Sequence, residues 1–193
     1  MLITLEGIDG SGKTSVWTAL QAEYPDIVYT REPTDSWYGE AVRRSIEDEG
    51  ADPMAELFLY MADHADHVAH VVEPAMTAGR TVVSDRYSDS RKAYQGATLH
   101  DRIPAPMAYI DELHKPWTIP PDLTIYIDVP PKVGVERSGS TNKFEQEQYL
   151  VRVADNYSEL IDAEPDRFTR IDGTQPVSTV IETAIETVGN VLL

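Results

Sequence analysis

The chain has 193 residues, and its 41% hydrophobic content is enough for the core of a single domain spanning 1–193. With 33 acidic and 16 basic residues, its formal net charge is −17, and no basic stripe of the kind that binds a DNA or RNA polymer is visible. The absence of cysteine excludes disulfides and thiol chemistry. We see no signal peptide and no apolar run long enough to cross a membrane, and we therefore predict a cytoplasmic protein.

Short apolar segments alternate with longer amphipathic ones along the chain. The predicted strands are Leu2–Glu6, Ile27–Thr30, Thr81–Asp85, Leu123–Asp128 and Phe168–Asp172. Helical periodicity covers 13–22, 35–49, 53–78, 89–97, 104–114, 144–163 and 176–192. This alternation predicts an α/β fold, in which a five-stranded parallel sheet carries helices on both faces. Ligands of such sheets bind beyond the carboxyl ends of the strands.

The acidic residues are spread along the whole chain rather than gathered in one tail. Such a distribution favours solvation at high salt, where repulsion between like charges is screened. The composition therefore suggests, as a hypothesis, a halophilic protein.

The loop after the first predicted strand has the phosphate-binding pattern G-x-x-x-x-G-K-[ST]. Its glycines let backbone N–H groups surround an anion, and the next helix points its positive end at the same place. Lys13 adds a positive charge, and the hydroxyl of Thr14 can coordinate Mg²⁺. The alternative is a glycine-rich turn with a chance lysine, but the strand–loop–helix context favours a triphosphate site. That site comprises Gly7, Ile8, Asp9, Gly10, Ser11, Gly12, Lys13 and Thr14.

A second group of polar residues follows the third predicted strand. Asp85 ends that strand, and its carboxylate can hold Mg²⁺ directly or through water. Arg86 comes next, and its guanidinium can bridge two phosphoryl groups while charge develops between them. Taken alone, these two residues favour an ordinary ion pair at a strand end.

The segment Asp85–Gln95 resembles the thymidylate kinase signature D-R-Y-x-x-S-x-x-A-Y-Q. Further segments resemble motifs of the same family in the same order, at 30–33, 39–43, 56–63, 121–128 and 171–176. The resemblance implies a P-loop nucleoside monophosphate kinase that transfers the γ-phosphate of ATP to dTMP. It also implies a homodimer that uses ATP and Mg²⁺ and binds neither nucleic-acid polymer nor membrane. A regulatory P-loop ATPase is the alternative from another class, but it would need no acceptor pocket.

The resemblance also assigns an acceptor site. It implies that Arg43 grips the phosphate of dTMP, Tyr60 stacks on thymine, and Tyr94 lies under the sugar, where it disfavours a ribose 2′-hydroxyl. The full acceptor set it implies is Asp9, Glu32, Arg43, Tyr60, His64, Arg86, Ser90, Tyr94 and Gln95.

On the donor side, the resemblance places a lid at about 136–145 and a contact with adenine at Thr174 and Gln175. The phosphate loop contains Asp9 but no arginine, so transition-state charge must come from elsewhere. The catalytic set implied is Lys13, Asp85, Arg86, Arg137, Lys143 and Arg152, with Thr14 and Asp85 as magnesium ligands and Arg137 also on the adenine.

The sequence departs from the family pattern at His64, where the family has an arginine that donates to a thymine carbonyl. A neutral imidazole still offers one N–H donor, but it lacks the fork and the fixed charge. This departure leaves open a kinase with a shifted base preference. His64, His67 and His70 also resemble a run of metal ligands, yet no histidine or cysteine is spaced to complete a site. We therefore expect a polar helix face with His64 reaching the cleft.

Overall fold

The structure is a computed structural model that describes residues 1–138 and 147–192. Its strands are β1 (Leu2–Glu6), β2 (Val28–Arg31), β3 (Val82–Asp85), β4 (Leu123–Asp128) and β5 (Phe168–Asp172). They form one parallel sheet in the order β2-β3-β1-β4-β5. The predicted five-stranded parallel sheet is confirmed, although β2 begins and ends one residue later than predicted and β3 begins one residue later.

The helices are α1 (Lys13–Glu23), α2 (Trp37–Glu47), α3 (Pro53–His67), α4 (Glu73–Thr77), α5 (Ser88–Thr98), α6 (Pro106–His114), α7 (Pro131–Ser138), α8 (Glu147–Ala163) and α9 (Val177–Leu192). Asp52 begins α3 by accepting hydrogen bonds from the backbone of Met54 and Ala55, next to a proline in the first turn. The helix predicted for 53–78 is in fact three consecutive segments, because a π-helical stretch, Val68–Val72, joins α3 to α4.

Sequence patterns missed α7. Residues 136–138, which were predicted to be the first residues of the lid, form the last turn of this helix. The rest of the predicted lid, 139–145, lies outside the described residues.

Successive side chains of each strand point to opposite faces of the sheet, so a hydrophobic core forms on each face. Ile3 and Leu5 of β1 and Ile125 of β4 face α1 and α9, where they meet Leu20 and Ala184. On the opposite face of the sheet, Tyr126 packs with residues of α5 and α8. Helices therefore cover both faces, which leaves the edge at the carboxyl ends of the strands for a ligand.

Within residues 1–138 and 147–192, no helix combines the length and the apolar character that crossing a bilayer requires.

We expect the free energy of unfolding to rise with added KCl. At a net charge of −17, repulsion among carboxylates opposes the compact state, and salt shortens its range from about 10 Å at 0.1 M to about 3 Å at 1 M. Urea midpoints measured at rising KCl should increase and then level off. The control is the same series near the isoelectric point of about 4.5, where salt should have little effect. Full stability in dilute neutral buffer would contradict the expectation.

Candidate active site

The loop between β1 and α1 wraps around the side chain of Lys13. Nζ of Lys13 donates to the carbonyl oxygens of Gly7 (3.0 Å) and Ile8 (2.9 Å) and to Oγ of Ser11 (3.2 Å). Gly12 precedes α1 with a φ of 103°, a left-handed conformation that glycine adopts without strain. Burial lowers the pKa of Lys13 to about 8, so its ammonium group is a poorly solvated cation at neutral pH. An anion such as phosphate would stabilise that charge.

Arg86 lies at the turn from β3 to α5, with a φ of 69° that is uncommon for a residue with a side chain. Nη2 donates to Asp9 Oδ1 (2.5 Å) and to Tyr94 Oη (3.2 Å). Nη1 donates to Ser90 Oγ (3.0 Å) and to the carbonyl oxygen of Gly7 (3.3 Å). The turn therefore holds one guanidinium between the phosphate loop and α5.

Two cavities meet at Arg86. The inner cavity lies against α5, and its wall includes Pro33, Tyr60, Ser90, Arg91, Tyr94 and Gln95. The loop cavity lies over the phosphate loop, and its wall includes Gly12, Lys13, Thr14, Arg31, Asp85 and Arg137. Asp9, Glu32 and Arg86 line both cavities. A phosphate held at Arg86 can therefore face ligands on both sides.

The loop cavity gathers positive charge in a strongly acidic chain. Four cationic side chains line it, namely Lys13, Arg31, Arg86 and Arg137, against three carboxylates, those of Asp9, Glu32 and Asp85. Arg31, which sequence reasoning missed, lies at the end of β2 with its guanidinium 4.8 Å from the ring centre of Trp17. Against a net charge of −17, this local concentration of cations suits a polyphosphate.

The residues predicted to bind magnesium fit an oxygen-seeking cation. Oδ1 of Asp85 is buried and has no hydrogen-bond partner among the described residues, although it lines the loop cavity. A buried carboxylate oxygen without a partner is rare in folded proteins and points to an unseen ligand. Thr14, at the start of α1, brings a hydroxyl to the same cavity. Carboxylate and hydroxyl oxygens are the ligands that Mg²⁺ prefers.

Glu6, at the end of β1, is a buried residue that holds the start of α5 in place, and sequence reasoning missed it. Its carboxylate accepts hydrogen bonds from the Tyr87 backbone N–H (2.9 Å), Ser90 Oγ (2.5 Å) and Tyr157 Oη (2.7 Å). Burial, reinforced by the negative charge of Asp89, raises the pKa of Glu6 to about 7. Glu6 thereby fixes the start of α5, which carries the wall of the inner cavity.

The prediction that His64 reaches the cleft is wrong. His64 is fully buried and lines neither cavity. Its Nδ1 donates to Glu32 Oε1 (2.7 Å), and its Nε2 lies 2.8 Å from Thr118 Oγ1, so both ring nitrogens are engaged inside the protein. Burial lowers the pKa of His64 to about 4, which keeps the imidazole neutral. His70, the third member of the histidine run, is exposed and pairs with Asp66.

Some predicted cations lie apart from the two cavities. Nη1 of Arg43 donates to the carbonyl oxygen of Thr34 (2.7 Å), beside Pro33 of the inner cavity, but Arg43 lines neither cavity. Arg152 lies 3.8 Å from Asp101 and is half exposed, so the structure does not bring it to the site. Lys143 lies outside the described residues.

Of the three residues predicted to contact adenine, two line a cavity near the phosphate loop. Arg137 lines the loop cavity and donates from Nη1 to the carbonyl oxygen of Gly173 (3.0 Å). Gln175 and Arg137 also line a third cavity beside α1 and α9. Thr174 turns away, because its N–H and hydroxyl both bond to Asp172.

Arg91 is the main residue of the inner cavity that sequence reasoning missed. The helical spacing that brings Ser90, Tyr94 and Gln95 to one face of α5 also places Arg91, one residue after Ser90 and one turn before Gln95, toward the same cavity. This spacing was the available signal, although helical periodicity alone cannot show how a long side chain is oriented.

Comparisons with known proteins agree on one family. The sequence profile described as thymidylate kinase matches residues 5–184. The chain is 62% identical to a probable thymidylate kinase of Natronomonas pharaonis over 100% of this chain and 99% of the relative. It is 58% identical to a probable thymidylate kinase of Halobacterium salinarum over 95% of this chain and 93% of the relative. The crystal structure of thymidylate kinase from Ehrlichia chaffeensis superposes with a TM-score of 0.75 at 28% identity, covering 97% of this chain and 98% of that one.

Proposed function

The chain belongs to the thymidylate kinase family, and from that premise we propose that its two cavities seat dTMP and ATP with their phosphates facing each other across Arg86. The reaction is the transfer of a phosphoryl group to dTMP, which gives dTDP. The observation that carries the proposal is the meeting of the two cavities at Asp9, Glu32 and Arg86. A regulatory ATPase would need no inner cavity, so this arrangement counts against that alternative.

The inner cavity takes dTMP. The ring of Tyr60 stacks on thymine, and Pro33 adds apolar surface to the same cavity. Tyr94 lies against the sugar, where its ring leaves no room for a 2′-hydroxyl, and Asp9 faces the 3′-hydroxyl. Arg86 binds the acceptor phosphate at the point where the cavities join. Arg43, held beside Pro33 by the Thr34 carbonyl, extends toward the same phosphate when dTMP is bound.

The loop cavity takes the donor triphosphate. Lys13 and the phosphate loop hold the outer phosphates, and Arg137 spans from them to the third cavity, where Gln175 borders the adenine. Asp85 and Thr14 would hold Mg²⁺, which, when bound, neutralises charge on the phosphate oxygens.

The chain's own contribution to the chemistry is positioning and charge. An oxygen of the dTMP phosphate forms a bond to the γ-phosphorus of ATP, while the bond from that phosphorus to the bridging oxygen breaks and ADP leaves. The acceptor phosphate is already a good nucleophile at neutral pH, so no general base is required. Lys13 and Arg86 stabilise the charge that develops between the two nucleotides.

A panel of nucleoside monophosphates tests the function. With ATP and Mg²⁺, ADP formation in a coupled assay should be fastest with dTMP, at both low and high KCl. Faster reaction with another deoxynucleotide would indicate a shifted base preference. ADP release without any acceptor would support a regulatory ATPase instead.

Large apolar side chains that α2 and α3 expose to solvent support the proposal of a homodimer. Trp37 is 72% exposed, and Phe58 is 49% exposed. Exposed aromatic residues of this kind are enriched where proteins associate. We propose that these two helices contribute to contact with a second copy of the chain.

We expect Tyr94→Ala to relax the preference for deoxyribose over ribose by about tenfold or more, since removing a ring from a pocket wall opens room for one hydroxyl. The measurement is the ratio of kcat/KM for dTMP to that for its ribonucleotide counterpart. Tyr94→Phe is the control, because it keeps the ring and loses only the hydroxyl that accepts from Arg86. An unchanged ratio in a folded Tyr94→Ala protein would remove Tyr94 from this role.

A further inference from the structure

A cluster of five buried polar residues lies behind the wall of the inner cavity, and we call it the Arg91 cluster: Glu32, His64, His67, Arg91 and His114. Two members, Glu32 and Arg91 of α5, also line the cavity, and Arg91 is the one that carries N–H donors. Its Nη2 bonds to Glu32 Oε2, and its Nε donates to His114 Nε2 (3.1 Å). Nη1 of Arg91 makes no hydrogen bond to any residue that the structure describes.

The rest of the cluster fixes the guanidinium in place. Glu32 Oε1 accepts hydrogen bonds from Nδ1 of both His64 (2.7 Å) and His67 (2.6 Å). The far nitrogen of each ring is also engaged, His64 with Thr118 and His67 with Thr30, both at 2.8 Å. Burial alone would raise the pKa of Glu32, but the adjacent Arg91 and the two imidazoles hold it well below its usual range. Arg91 is therefore anchored to a permanent carboxylate that α3 holds rigid.

The inner cavity has two different guanidinium groups at two different places. Arg86 is bound to Asp9 and the phosphate loop, which marks the phosphate end of the cavity. Arg91 instead contacts Glu32 after β2, His64 on α3 and His114 on α6, and it does not line the loop cavity. One turn along α5, Gln95 lines the same cavity, and its Nε2 is buried without a hydrogen-bond partner within residues 1–138 and 147–192. Two side chains that line this cavity, Arg91 and Gln95, therefore each carry a donor nitrogen without a partner among the described residues.

Unused donors in a ligand cavity call for acceptors on the ligand. Thymine carries carbonyl oxygens at positions 2 and 4, whereas cytosine carries an amino group at position 4. A guanidinium has five N–H donors and no acceptor, so it binds a carbonyl but cannot accept from an amino group. Arg91 is thus suited to select a 4-oxo pyrimidine.

We propose that Arg91 is a specificity-determining residue that donates from Nη1 to O4 of thymine, and that Glu32, His64 and His67 are positioning residues that hold it there. This inference rests on the proposed function. The proposal assigns recognition of the base to Arg91 of α5. His64 of α3 contributes indirectly, by holding the carboxylate that positions this guanidinium.

A metal centre is the competing interpretation of the same cluster. Glu32, His64 and His67 each place one ligand atom within 4.8 Å of the others. Their separations of 2.6 and 2.7 Å are those of hydrogen bonds, and the fixed charge of Arg91 touches Glu32 and lies 3.1 Å from His64. A divalent cation would lie against that charge, so the contacts favour the arginine.

The test compares dTMP with a 5-methyl-2-pyrimidinone deoxynucleotide, which has hydrogen in place of O4 and no hydrogen on N3. Wild type should favour dTMP by about a hundredfold in kcat/KM, the size expected for one hydrogen bond from a charged donor. Arg91→Met should lower this preference by about tenfold or more, through kcat/KM for dTMP alone, because the difference at N3 affects wild type and variant alike. Glu32→Gln should reduce the same ratio, because the guanidinium loses its charged partner.

The matched control is Arg102→Met, which removes an exposed arginine paired with Asp52 at 3.7 Å and should leave the ratio unchanged. A folded Arg91→Met protein that keeps the wild-type ratio would overturn the proposal. If that variant does not fold, the ratio of kcat/KM measured for the wild type still tests the proposal. Equal kcat/KM for the two substrates would refute a contact with O4. One equivalent of tightly bound zinc in the purified protein would assign the cluster to a metal and also refute it. A wild type that phosphorylates no deoxynucleotide at all would overturn the proposed function, and this inference with it.

Discussion

Replacing Lys13 with alanine is expected to lower kcat by about a hundredfold or more, as the loss of a cation that stabilises the transition state should. Nζ of Lys13 is held by two carbonyl oxygens of the phosphate loop, so the loop aims its charge at one place. Negative charge on the transferring phosphoryl group and its leaving oxygen is greatest in the transition state. The effect should therefore appear in kcat more than in the affinity for ATP. The measurement is steady-state turnover with dTMP, together with ATP binding by calorimetry.

Two further variants serve as controls for Lys13→Ala. Lys132→Ala removes an exposed lysine of α7 and should leave turnover unchanged. Lys13→Arg keeps the charge but not the geometry of a point cation, so it should rescue only part of the loss. Near-normal kcat in a folded Lys13→Ala protein would contradict the place given to this residue.

Replacing Arg86 with glutamine is expected to lower kcat/KM for dTMP by about a thousandfold or more, within the range seen when a phosphate-bridging arginine is lost. Arg86 lines both cavities and bonds to the phosphate loop, Ser90 and Tyr94. Its removal takes away the charge between the nucleotides. It also leaves the carboxylate of Asp9 without its partner in the cavity, where an unpaired charge is costly.

The decisive comparison for Arg86 is with lysine. Arg86→Lys keeps the charge and loses the forked donors, so its activity should lie between those of wild type and Arg86→Gln. Thermal stability must be measured alongside, because Arg86 also ties α5 to the phosphate loop. A folded Arg86→Gln protein with dTMP turnover close to that of wild type would show that phosphates do not meet at this guanidinium.

Much of the fold could be predicted from the sequence, because the three central strands β1, β3 and β4 are short, largely apolar runs that the parallel arrangement buries on both faces. β1, β4 and β5 have the predicted bounds. The short α7 was missed, since it has only eight residues and Gly134 in its middle, which leaves little helical periodicity to recognise.

The candidate site was predictable where a local motif carries the chemistry, as in the phosphate loop. It was not predictable where chemistry depends on which helices meet. His64 aligns with a base-binding arginine of the family, yet His64 lines neither cavity, and Arg91 on another helix lines the inner one. Glu32, which joins the two, is 32 residues from His64 and 59 from Arg91 in the chain. Spacing along a sequence does not report such contacts.

Binding of a bisubstrate ligand tests the central claim most directly. The ligand is adenosine joined 5′ to 5′ through a polyphosphate chain to deoxythymidine, so that one molecule can fill both cavities and pass Arg86. The account predicts that it inhibits competitively against both ATP and dTMP and binds more tightly than either nucleotide, since the second half binds at a high effective concentration. Competition with only one of the two nucleotides, or binding no tighter than that nucleotide alone, would contradict the claim that the two phosphates meet at Arg86.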